Sequence, residues 1–191
     1  SHDLRTPLTR LKLQLAMIQQ KELSKKMSKD IDEMEKMLRD YLQFAKTQSQ
    51  ENTSRINLIV LFNSIKKQIN SDKLVIYSNN EINLMGRPIA LKRSFENIIQ
   101  NGLTYGNKVF INIQKGSNRA IITIEDDGPG IPEDQHKNVF KPFFRLDKSR
   151  SLNQSGVGLG LAIVEDIINS HGGSIQLSKS KLNGLQVKVS L

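Results

Sequence analysis

The feature that most constrains this chain is a heptad stripe through its first fifty residues. Leu4, Leu8, Leu11, Leu15 and Ile18 fall at steps of four and three. A helix turning about 100° per residue places them on one face. A polar break at Gln19-Gln20-Lys21-Glu22 interrupts the stripe, which resumes as Met27, Ile31, Met34, Leu38, Tyr41 and Ala45. Alternating fours and threes suit a left-handed bundle better than an isolated surface helix. Two such helices cannot enclose a core, so the spacing predicts that a second copy supplies the missing faces in a dimeric four-helix bundle. Packing onto a following domain would satisfy the same stripe.

A polar run, Thr47-Gln48-Ser49-Gln50-Glu51-Asn52-Thr53-Ser54, contains no apolar residue, and the linker is expected there, at 49–56. This divides the chain into a hairpin at 1–48 and a larger domain at 57–191. In that domain the periodicity predicts helices at 58–69, 88–105 and 162–170. Strands are expected at 73–77, 82–85, 109–114, 120–125, 174–178 and 185–191. Pro88 suits a first helical turn, and His171-Gly172-Gly173 suits a helix stop. Strands interleaved with three helices, without strict β-α-β alternation, predict an α/β sandwich with its helices on one sheet face.

Composition excludes several classes. The 191 residues contain no Cys, so disulfides, thiol nucleophiles and thiolate metal sites are ruled out. Three histidines make an all-protein zinc site a poor expectation. No run of 18 apolar residues occurs that could span a membrane. The net charge of +9 invites nucleic acid, but the excess is spread thinly along the chain and aromatics reach only 5%, too few for stacking platforms.

Four constellations carry chemistry. Ser1-His2-Asp3-Leu4-Arg5-Thr6-Pro7-Leu8 puts His2 and Thr6 on one helix face. Asp3 adjoins the imidazole, where a carboxylate can fix one ring nitrogen protonated and leave the other nucleophilic. Asn97 and Asn101 stand at i and i+4, and their amide oxygens suit a magnesium shell completed by phosphates. Asp126-Asp127-Gly128-Pro129-Gly130-Ile131-Pro132 follows an apolar strand and could take an exocyclic amine at its carboxylate. Gly156-Val157-Gly158-Leu159-Gly160-Leu161 opens a helix, where backbone amides suit phosphate. Singly each has an ordinary reading: a terminal histidine of no consequence, a polar helix stripe, a turn, a loop. The glycine spacing is not the dinucleotide fingerprint.

Together and in this order they resemble the H, N, G1 and G2 boxes of the sensor histidine kinase catalytic core, most like its osmosensor members. Phe140-Lys141-Pro142-Phe143-Phe144 resembles the intervening F-box. The resemblance implies an α+β architecture: a helical-hairpin dimerisation domain, followed by an α/β-sandwich Bergerat (GHKL) ATP-binding domain. It implies an ATP-dependent histidine autokinase that passes its phosphoryl group to a response-regulator aspartate, with ATP and Mg²⁺ as cofactors. The partners implied are a second copy and a receiver domain, without direct nucleic acid. By the same resemblance the chain is the cytoplasmic portion of a bacterial inner-membrane sensor.

The residue roles are carried over from the resemblance. His2 would accept the phosphoryl group, with Asp3 as acid–base partner, and Thr6 would position water for regulator dephosphorylation. Asp126 would take the adenine amine beside Gly128, Gly130 and Ile131. Asn101 with Asn97 would hold Mg²⁺, and Tyr105 would join the nucleotide site. Gly156, Gly158 and Gly160, with Leu159 and Leu161, would hinge a lid at 137–155 and bring amides to the phosphates. Phe140 and Phe143 would anchor that lid, and Arg145 would reach the phosphates on closure. Three positions depart from the family pattern: Thr104 replaces a usual Arg or Lys, Gly102 a usual Ala, and Leu146 a Gly. Related ATPases carry a Glu four residues before the magnesium Asn as base for water; here that position is Asn97, which favours transfer over hydrolysis.

Overall fold

The computed structural model describes residues 10, 11, 13–15, 22, 24, 25, 27, 28, 31, 32, 34, 35, 51–78, 80–146 and 158–191. The chain divides into two compact units, Ser1–Gln50 and Glu51–Leu191.

In the first unit every described residue is helical. Leu15 and Ile31 are buried in one cluster, and the Ser24 hydroxyl donates to the Leu15 carbonyl at 2.7 Å. Leu11, Met27 and Met34, on the same heptad stripe, remain exposed at 45%, 41% and 52%.

The second unit begins with β1 (Ser54–Asn57), α1 (Leu58–Ile69), β2 (Leu74–Ser78) and β3 (Asn83–Gly86). The helix α2 (Pro88–Tyr105) and the strands β4 (Val109–Lys115) and β5 (Ala120–Asp126) follow. Two 3-10 turns, Glu133–Gln135 and Asn138–Phe140, precede α3 (Gly160–Ser170), β6 (Ser174–Lys179) and β7 (Leu185–Ser190). The main sheet runs β2-β4-β5-β7-β6, parallel only between β2 and β4, while β1 and β3 form a separate antiparallel ribbon. The linker expected at 49–56 is therefore not a free connector: β1 pairs Ser54 with Gly86 and Ile56 with Leu84. Its sequence gave no strand signal because only Ile56 is buried, so no apolar alternation exists to read.

Alternate strand residues build one face of the core. Val109, Ile111 and Ile113 of β4, Ile122 and Ile124 of β5, and Val187 and Val189 of β7 are buried, while Asn112, Thr123 and Lys188 occupy the opposite face. The helices meet the apolar face with stripes at helical spacing: Leu58, Leu61, Phe62 and Ile65 on α1; Leu91, Phe95, Ile98 and Gly102 on α2; Ile163, Val164, Ile167 and Ile168 on α3. The rings of Phe62 and Phe95 pack with centroids 4.6 Å apart at 48°.

The amino end of α2 has no side-chain cap of its own and no acidic residue in its first turn. Pro88 has no N–H to satisfy. The Arg87 N–H donates to His171 Nε2 at 3.0 Å, and His171 Nδ1 lies 2.7 Å from the Ile167 carbonyl. A carbonyl only accepts, so the proton is on Nδ1 and the ring is neutral. His171 thus fastens the end of α3 to the start of α2. Replacing His171 by Ala leaves the half-buried Arg87 N–H without its partner and should lower unfolding free energy by about 1–3 kcal/mol, measured by urea denaturation.

Candidate functional site

The site is organised by α2. Asn97 and Asn101, one turn apart, face the first residue of α3: a Cβ built on Gly160 would lie 3.9 Å from Asn101 Nδ2 and 4.0 Å from Asn97 Cγ. Glu96 lies around the helix and pairs with Lys92 at 3.8 Å, so Asn97 alone occupies the position four residues before Asn101. One residue beyond Asn101, a Cβ on Gly102 would stand 2.7 Å from Val109 Cγ2 and 3.6 Å from Asp126 Oδ2. Gly102, noted from sequence as replacing a usual Ala, is thus where α2 presses against the ends of β4 and β5. An alanine methyl here would collide with Val109.

Asp126 ends β5. Its Oδ1 accepts the Gly128 N–H at 2.9 Å and the Leu185 N–H at 3.0 Å, joining the turn after β5 to the first residue of β7. Burial pushes its carboxyl pKa up; the two amide bonds pull it back, and neighbouring Asp127 adds repulsion. Because Oδ1 takes both backbone amides, Oδ2 is the oxygen left toward α2. Asp127 is held differently. Its Oδ1 accepts the Lys108 N–H at 2.9 Å and the Asn107 N–H at 2.6 Å, and these bonds hold its pKa below the usual aspartate range.

Glycines allow this closeness. A Cβ on Gly128 would meet Asp126 Oδ1 and the Tyr105 carbonyl oxygen at 3.0 Å, and Gly130 adopts φ +72° beside the Gly184 carbonyl. Gly184 was missed by the sequence reading. A Cβ there would fall 2.3 Å from the Asp126 carbonyl oxygen, so only glycine lets the β6–β7 turn seat itself on the aspartate. The available signal was Asn183-Gly184, a hairpin pair.

The remaining expected residues are distributed unevenly. Leu159 is buried before α3, and Leu161 is half-buried in its first turn. Among the described residues no side chain caps α3, and its first-turn amides lie beside Asn97 and Asn101, where an anion would suit them. Tyr105 is exposed, and Ile131 contributes its carbonyl to His136 Nε2 at 3.0 Å. Thr104 Oγ1 is occupied by back-bonding to the Gln100 carbonyl at 2.7 Å.

Phe140 and Phe143, expected to anchor the lid, differ in exposure. Phe140 is half-buried, Phe143 is 58% exposed with φ +65°, and the buried member of that turn is Val139. Phe143 serves through its backbone: its N–H donates to the Gly158 carbonyl at 2.9 Å. Gly158, at φ +75°, has no room for a Cβ against the Phe144 carbonyl. Arg145 is exposed. His2, Asp3, Thr6, Gly156 and residues 147–155 of the lid expected at 137–155 lie outside the described residues.

The two adjacent aspartates have opposite consequences for stability. Asp127, depressed in the folded state, contributes stability that is present above the ordinary aspartate pKa and lost as pH falls through its lower folded value. Asp126, raised, favours the folded state only on the acid side of its window. Asp127→Asn should therefore be less stable than the parent at neutral pH. The gap should narrow as pH falls below the usual aspartate range, measured by thermal unfolding across pH.

Residues 86–191 match the histidine kinase-, DNA gyrase B-, and HSP90-like ATPase family, and residues 1–50 match the His Kinase A (phospho-acceptor) domain. The sensor histidine kinase GtrS of Pseudomonas aeruginosa is 35% identical over 193 residues, covering all of this chain and 40% of that protein. The sensor histidine kinase CpxA of Escherichia coli K12 is 33% identical over 204 residues, covering 99% of this chain and 44% of that protein. The chain thus spans less than half the length of these curated relatives. The NMR structure of the histidine kinase domain of the E. coli osmosensor EnvZ superposes with a TM-score of 0.58 at 30% identity, over 75% of this chain and 91% of that one. With a phosphoacceptor module followed by an ATP-binding module in the order the motifs predicted, the chain belongs to the sensor histidine kinase family.

Proposed function

We propose that this chain is the core of an ATP-dependent histidine autokinase of a two-component system. An imidazole nitrogen of His2 attacks the γ-phosphorus of ATP, the bond to the β-phosphate oxygen breaks, ADP leaves, and Asp3 takes up the ring proton. The phosphoryl group then passes from His2 to an aspartate of a response regulator. The observation that carries this reading is the meeting of Asn97 and Asn101 with the uncapped start of α3, while Asp126 stands one helical residue away across Gly102.

The site fits its cofactors chemically. Two neutral amides beside free helix amides suit a magnesium–phosphate group, and Mg²⁺ would be held by Asn101 and Asn97, neutralising phosphate charge when bound. Asp126, one carboxylate oxygen fixed by two amides and the other turned to α2, suits the adenine amine. Asn97, where related ATPases carry a base, favours transfer over hydrolysis. Exposed Leu11, Met27 and Met34 leave the heptad stripe uncovered in a single chain, which supports a homodimeric four-helix bundle. The relatives are named sensor kinases and are more than twice as long, which supports placing this core on the cytoplasmic side of an inner-membrane sensor.

Incubated with ATP and Mg²⁺, the protein should acquire acid-labile, alkali-stable phosphate, and His2→Gln should abolish it; labelling that survives the substitution refutes the site. We further propose that Thr6 orients water toward the regulator's aspartyl phosphate. Thr6→Ala should then retain transfer and slow dephosphorylation by about tenfold or more, followed by loss of label from the phosphorylated regulator.

A further inference from the structure

Two of the free amides at the amino end of α2 belong to Ile89 and Ala90, and both are satisfied by a residue from far upstream. Glu51 Oε1 accepts the Ile89 N–H at 2.5 Å, and Oε2 accepts the Ala90 N–H at 3.0 Å. With Pro88 lacking a donor and Arg87 bonded to His171, this carboxylate completes the capping of the helix. Its charge also faces the positive end of the α2 dipole.

The position of Glu51 gives the contact its meaning. It is the first residue of the second unit, directly after the phosphoacceptor unit ends at Gln50. Three residues on, β1 pairs with β3, whose last residue Gly86 leads into Arg87 and α2. The chain leaving the hairpin is therefore tied twice to the start of one helix, by a carboxylate and by a strand ribbon. That helix carries Asn97 about 12 Å further along its axis, and Asn101 one turn beyond. A helix transmits an axial displacement with little loss, so a shift imposed at residue 51 reaches the two asparagines end-on.

We propose that Glu51 is a positioning residue for phosphoryl transfer: by capping α2 it sets the axial placement of the Asn97–Asn101 pair against the start of α3. This rests on the autokinase reading above. It assigns a role in the transfer step, distinct from nucleotide affinity, because a small axial displacement of the asparagines costs transition-state alignment more than ground-state binding.

The test uses the whole chain, with Glu51→Ala and the milder Glu51→Gln, which keeps one acceptor oxygen. Three quantities are measured: affinity for a fluorescent ATP analogue with Mg²⁺, melting temperature, and His2 phosphorylation rate at saturating ATP. The expected result is a rate lowered about tenfold in Glu51→Ala and less in Glu51→Gln, with analogue affinity within about twofold of the parent in both. An unchanged rate overturns the proposal. So does an affinity that weakens in step with melting temperature, since that pattern marks a cap that only stabilises the fold. If Glu51→Ala does not fold, the same criteria apply to Glu51→Gln. Failure of the parent itself to label His2 removes the autokinase reading and this role with it, whereas failure confined to the variants' predicted pattern removes only this role.

Discussion

The second unit depends on how α2 is held at both ends. At its amino end every backbone donor that the helix cannot satisfy internally is met by something distant in sequence, Glu51 on one side and His171 on the other. Toward its carboxyl end, Gly102 removes the one methyl that would keep the helix from Val109 and Asp126. A helix fixed at both ends by such short-range contacts has little freedom to slide or roll. The asparagines between them inherit that rigidity, which is what a site that works by positioning requires.

Asp126 and Asp127 show how adjacent identical residues acquire different chemistry from backbone geometry alone. One carboxylate sits half-buried at the strand end and shares a single oxygen between two amides. The other reaches sideways to cap the connection between α2 and β4. Burial works against ionisation in the first, and amide donors work for it in the second. The second is therefore a structural brace, and the first keeps its other oxygen turned toward α2.

The sequence was most readable where a pattern repeats. The heptad stripe includes Leu15 and Ile31, which the first unit buries together. Helical and strand periodicities recovered α1, α2, α3 and the five strands of the main sheet, because each buries a regular face. Motif order located Asn97, Asn101, Asp126 and Gly160. What stayed illegible depends on single atoms meeting across the fold. β1 buries only Ile56, Glu51 acts through two hydrogen bonds to residues 38 and 39 positions away, and Gly184 matters only once β7 lies against β5. Nor could the sequence tell that Phe143 takes a left-handed backbone and stays exposed while the smaller Val139 is buried. The charge of +9, spread thinly along the sequence, gave no constraint of its own.

The pairing of β5 with β7 has a consequence for synthesis. The β4–β5 and β6–β7 pairs join strands close in sequence and can form as soon as each leaves the ribosome. Ile121 meets Ser190, however, only after nearly seventy further residues have been made. Leu185, the start of that last strand, supplies one of the two amides holding Asp126. Asp126 is therefore not fully held until β7 has been made, so a chain stopped short of β7 carries every motif but lacks the strand that completes their arrangement.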